Sequence, residues 1–119
     1  MKSKLPLVSM LLSAWMMMYV VKAQATAPSQ IFLDYDQDNK MLHVEVKHVS
    51  QSPRTHYIRK LVVYQNDQQI HTLHFSSQTS ATAQVKDVPL EAGPGDNIRV
   101  LAVCSEAGRG EGTLVIPEE

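Results

Sequence analysis

Cysteine is almost absent from this chain. Cys104 is the only one in 119 residues, so no disulfide can form within the chain and a stapled small scaffold is excluded. An excess of positive charge is lacking too, with 11 Lys and Arg against 12 Asp and Glu and a net charge of -1. A non-specific nucleic-acid binder or a polybasic membrane binder needs such an excess. The length leaves room for one domain and excludes large α/β barrels and multidomain machines. No C-x-x-C, H-E-x-x-H or G-x-S-x-G occurs. Gly108-Arg109-Gly110-Glu111-Gly112 lacks the Lys-Ser/Thr ending of a phosphate loop and reads as a flexible turn. Beyond residue 25 there is no Trp, no sustained helical period and no repeat.

Residues 1–25 contain Lys2, Lys4 and Lys22 but no acidic residue, and they hold five of the six Met as well as Trp15. Lys2 and Lys4 form a positive start, Pro6 to Val21 is apolar apart from Ser9 and Ser13, and Ala23-Gln24-Ala25 ends the segment with small residues. These are the three parts of a secretory signal peptide, with cleavage expected after Ala25. The apolar run is shorter than the ~20 residues of a membrane span. The residue directly after the cleavage point is Thr26 and not Cys, so a lipid attachment site is not expected there. The mature chain, residues 26–119, then has 8 basic and 12 acidic residues, or -4. It is expected in a periplasm or outside the cell, with no membrane association after cleavage and no nucleic-acid partner. Three readings of Cys104 stand at this point: a buried inert thiol, half of an intermolecular disulfide, or a metal thiolate.

The mature chain reads as short strands separated by Gly, Asn, Asp and Pro turns. Ile31 to Tyr35 is a first strand, and Asp36-Gln37-Asp38-Asn39 a turn with Asx bonding. Lys40 to His48 alternates most clearly. Leu42, Val44 and Val46 share one face with His48, while His43, Glu45 and Lys47 share the other. Tyr57 to Tyr64 and Ile70 to Phe75 are paired strands about an Asn66-Asp67 hairpin turn, with Ile70 and Thr72 expected to face opposite to His71 and Leu73. Thr82 to Val88 follows, with Ala83, Val85 and Val88 expected inward. In Asn97 to Cys104, residues Ile98, Val100, Ala102 and Cys104 face one way. Thr113 to Ile116 closes the domain. About seven such strands predict an all-β, immunoglobulin-like β-sandwich.

Three residues can converge in such a fold. His48 and Cys104 each end a strand on its inward face, and His56 opens the next strand across a seven-residue loop from His48. Two imidazoles and a thiolate can bind iron, zinc or copper. His71 and His74 lie on opposite faces and are poor co-ligands, and His43 faces away. Arg54 and Arg59 flank His56 and could attract a small anion, although a solvated surface explains them better.

The stretch from His48 to Ile116 resembles the iron-binding domain of the desulfoferrodoxin and superoxide reductase family. The residues that carry the resemblance are His48, His56-Tyr57-Ile58 with the strand to Tyr64, Asn66-Asp67, Gly95-Asp96 before a strand, and Val103-Cys104 followed by Gly108. The resemblance implies an immunoglobulin-like sandwich holding one ferrous iron, with His48 and His56 as two nitrogen ligands and Cys104 as the thiolate ligand. It further implies superoxide as substrate and an electron donor as partner. The chain departs from that pattern at Ala107, which stands where the family carries a histidine after the cysteine, and in the segment TAPSQIFLDYDQ, which has no histidine. Two functions follow as expectations: an exported mononuclear iron protein of superoxide-reductase type, or a metal-free binding module of the cell envelope with a protein partner.

Overall fold

The computed structural model describes Pro28 and residues 30–118; the expected export segment lies outside the described residues. Seven strands follow one another: β1 (Gln30–Asp36), β2 (Met41–Lys47), β3 (Ile58–Gln65), β4 (Gln68–His74), β5 (Ala83–Pro89), β6 (Asn97–Cys104) and β7 (Arg109–Val115). They form two antiparallel sheets, ordered β1-β2-β5 and β4-β3-β6-β7. The sheets pack face to face, in the arrangement of a β-sandwich.

The alternation in the sequence decides which side of each strand is covered. Leu42, Val44 and Val46 from one sheet meet Leu61, Val63, Ile98, Val100 and Ala102 from the other, and all are fully buried. Burying an aliphatic side chain of this size contributes about 1.5–3 kcal/mol, so this layer supplies most of the force that holds the sheets together. The turns have the chemistry their residues suggest. Asn66 and Asp67 both have positive φ, at 51° and 67°, and make the two-residue hairpin between β3 and β4. Asp36 Oδ1 accepts the backbone N–H groups of Asp38 and Asn39 between β1 and β2.

Three expectations need correction. Strict alternation sends Ile70 and Leu73 to opposite faces, yet both pack on the core. The register jumps from Tyr64↔Gln69 to Val63↔His71, so Ile70 is an extra, bulged residue and the alternation restarts after it. In β5, Val85 lies opposite Glu45, on the outward face of β2. The inward residues include Gln84, opposite Val46, and Val88, opposite Leu42. Ala83, opposite Lys47, is on the same outward face as Val85, although it is buried.

The glycine-rich stretch is the third correction. Only Gly108 lies in a turn, with φ 89°, whereas Gly110 and Gly112 sit within β7 opposite Ala102 and Val100. A Cβ on Gly112 would come within 2.9 Å of the Ile31 side chain, and one on Gly110 within 3.2 Å of Pro28. The alternate glycines make a groove that seats the first strand, and their role is close packing rather than flexibility.

Candidate metal centre

The inward rows of β2 and β6 run on past their aliphatic residues to a polar end. His48 continues the series Leu42, Val44, Val46 one step beyond β2 and is buried, with its backbone N–H donating to Thr82 O at 3.0 Å. Cys104 ends β6 in the series Ile98, Val100, Ala102 and is 3% exposed. It pairs with Ile58, and its backbone N–H donates to Gly108 O. Both placements match the sequence expectation. The burial of Cys104 favours the inert-thiol and metal-thiolate readings over an intermolecular disulfide.

His56 arrives by another route. It does not open a strand: β3 begins at Ile58, and His56 is carried on the preceding loop. That loop is tightly tied. Ser52 O accepts from the N–H groups of Thr55 and His56 at 3.0 and 2.8 Å. The Ser50 hydroxyl donates to His56 O at 2.5 Å. Tyr57 N–H donates to Ser105 Oγ, and Ser105 N–H donates back to Tyr57 O. These bonds lash the loop to the end of β6 and bring a half-buried imidazole to the other two side chains.

One ligand atom from each of His48, His56 and Cys104 lies within 4.8 Å of the others. The two imidazole rings meet edge to face, with centroids 4.8 Å apart at 89°. Gln78 sets the tautomer of His48. Its Nε2 donates to the carbonyls of His48 and Ser80 at 2.7 and 2.9 Å, so its Oε1 is the acceptor that lies 2.7 Å from His48 Nδ1. His48 therefore carries its proton on Nδ1 and its basic lone pair on Nε2. Sequence reasoning missed Gln78, which lies in a polar stretch between β4 and β5 and carries no motif.

His56 has a comparable arrangement with a carboxylate. Its Nδ1 lies 3.6 Å from Glu106 Oε2, and its Nε2 is buried without a hydrogen-bond partner among the described residues. A buried ring nitrogen with no partner is costly in a site built only for packing. It fits a metal ligand, whose second nitrogen is commonly held by an acceptor outside the coordination sphere. Two imidazoles and a thiolate form a donor set for iron, zinc or copper, and the residues present fit such an ion as three ligands.

The other candidates separate from this cluster. His43 lies on the outward face of β2, with Nδ1 2.6 Å from Asp87 Oδ1. His71 and His74 are exposed on β4. Ala107 is exposed in the bend after Cys104 and offers no ligand. Arg54 lines a surface pocket with Ser77 and Gln78, whereas Arg59 lines a different one beside Lys60 and Arg109. They do not act as a pair around His56.

No protein-family model matches the sequence, and no curated protein matches it. Solved structures do. A superoxide reductase (neelaredoxin) from Ignicoccus hospitalis is 16% identical with a TM-score of 0.51, covering 84% of this chain and 86% of that one. A second form of the same protein, also 16% identical, gives 0.49 over the same shares. A superoxide reductase from Nanoarchaeum equitans is 11% identical and gives 0.45, over 78% of this chain and 96% of its own. At this identity the likeness is one of fold. The chain resembles the superoxide-reductase fold at low identity, and within it His48, His56 and Cys104 form a cluster that could hold a metal ion.

Proposed function

We propose that this protein is an exported, mononuclear iron-binding protein of superoxide-reductase-like type, built on an immunoglobulin-like sandwich and working in a periplasm or outside the cell. The observation that carries the reading is the buried Nε2 of His56, which has no hydrogen-bond partner among the described residues, beside His48 and Cys104. His48 and His56 would hold the ion through nitrogen and Cys104 through sulfur. Bound iron would supply one electron to superoxide, drawn in turn from an electron donor. The residues do the rest. Gln78 keeps the proton on the far side of the His48 ring, and Glu106 stands at the far side of His56. The aliphatic layer ending at Ala102 closes the inner side of the site to water. A buried thiolate would be a strong electron donor to a metal beside it.

The position of Ala107 favours a second reading, a metal-free binding module of the cell envelope, because one expected nitrogen ligand is missing there. Anaerobic ferrous reconstitution of the mature chain separates the two. The iron reading expects about one iron per chain and a thiolate charge-transfer band that disappears in Cys104→Ser. Less than ~0.1 iron per chain would overturn it.

A further inference from the structure

The outer face of the four-stranded sheet carries a row of basic residues at its end nearest the His-His-Cys cluster. The register sets His74, Lys60, Val103 and Arg109 side by side across β4, β3, β6 and β7. These are the outward positions, because Leu61, Ala102 and Cys104 on the same strands point into the core. Beside Lys60, the register jumps from Ile58↔Cys104 to Lys60↔Val103, so Arg59 is a bulged residue that adds a third long cation to the row. Arg59, Lys60 and Arg109 line one pocket of about 420 Å³. The turn from Ser105 to Gly108 forms another wall, and Leu101 and Val103 are its apolar part.

What separates this row from ordinary surface charge is the lack of compensation. Arg99, further along the same face, pairs with Glu111 at 3.5 Å and stacks 4.0 Å over the Tyr64 ring. Among the described residues, the side chains of Arg59, Lys60 and Arg109 have no ion pair and no hydrogen bond. Glu106, the one carboxylate on the rim, faces His56. The mature chain is acidic overall, at -4, so this positive field is local. Like charges crowded on one patch repel, and an anion seated among them removes the repulsion.

We propose that this pocket binds a small oxyanion with two negative charges, for which phosphate is the representative. Two guanidinium groups offer planar forks that match phosphate oxygens, and Lys60 adds a point charge. In the sequence Arg54 and Arg59 could attract a small anion, with a solvated surface as the preferred reading; the fold separates Arg54 from Arg59 and places Lys60 and Arg109 beside Arg59.

An amide NMR titration of the mature chain with inorganic phosphate, at constant ionic strength set with chloride, tests this. Saturable shifts are expected at Lys60 and from Ser105 to Arg109. Lys60→Gln combined with Arg109→Gln should weaken binding at least tenfold, as loss of two charged hydrogen bonds implies. Lys86→Gln, on the other sheet, should leave it unchanged. If the double variant does not fold, the single variants serve, each with a loss of about tenfold. Equal shifts with chloride alone, or equal weakening by Lys86→Gln, would overturn the proposal. So would shifts produced by a Glu-rich peptide but not by phosphate, which would make the patch a protein-docking surface.

Discussion

Gln78 Oε1 lies 2.7 Å from Nδ1 of His48, although the two residues are 30 apart in sequence. The same amide holds the His48 and Ser80 carbonyls and accepts from the Ile58 N–H at 3.3 Å. One buried side chain therefore ties together the end of β2, the start of β3 and the connection before β5, and also sets which His48 nitrogen can bind. Gln78→Ala is expected to reduce metal affinity by about 10–100-fold, the usual effect of losing a partner behind a ligand. The protein should stay folded but lose about 1–3 kcal/mol for the groups left unpaired. Calorimetric metal titration and urea melts read the two effects separately. Unchanged affinity in a folded variant would show that Gln78 is purely structural.

Ala107 gives a gain-of-ligand experiment. It is exposed in the bend two residues beyond the Ser105 that is bonded to Tyr57. Ala107→His adds an imidazole three residues after Cys104, and about tenfold tighter metal binding is expected. Competition with a chromophoric chelator measures the change. A neutral result would mean that the bend holds position 107 away from the cluster.

Gly112→Ala tests the seat of the first strand. The added methyl would meet Ile31 Cβ and Cγ2 at 2.9 Å and the Ile31 carbonyl at 3.2 Å. Overpacking of this kind costs about 1–3 kcal/mol. Ile31→Ala in the same chain should recover part of the loss, so a double-mutant cycle in urea is expected to show favourable coupling between the two positions.

Asp96 should make the fold sensitive to acid. Its carboxylate accepts hydrogen bonds from Asn66, Gly93 and Gln65, and the Asn66 bond contributes most to holding its pKa below the ordinary value. A carboxyl with a depressed folded-state pKa stabilises the fold above its unfolded-state value. That stabilisation is lost as pH falls through the folded-state value. The Tm of the wild type should therefore drop below about pH 4. Asp96→Asn should have a lower Tm near neutrality and a flatter acid limb. Parallel acid limbs for the two proteins would rule the group out.

The parts of this structure legible in the sequence are those governed by uninterrupted alternation. Leu42, Val44, Val46 and His48 form such a series, as do Ile98, Val100, Ala102 and Cys104, and both end at the cluster. Asn66-Asp67 was legible because few residue pairs accept two positive φ values in succession. Alternation fails where an extra residue is inserted, which is why Ile70 escaped it, and bulges have no signature in a single sequence. The inward face of β5 was misjudged because Val85 is more apolar than Gln84, whereas pairing with β2 decides the facing. Gln78 was out of reach for a different reason. Its role depends on a tertiary contact with His48, and that contact leaves no spacing pattern in the chain.

The groove of Gly110 and Gly112 also bears on the order in which the molecule can form. Its occupants, Pro28 and Ile31, belong to the first part of the sandwich to be synthesised, and the groove itself is among the last. β1 can pair with β2 early, but the surface against which Ile31 rests does not exist until β7 has joined β6. Contacts that link the two ends of a chain are slow to form because the whole intervening length must be closed first. Until then the apolar side of β1 stays uncovered, which makes the interval before β7 docks the period when the folding chain is most prone to aggregate.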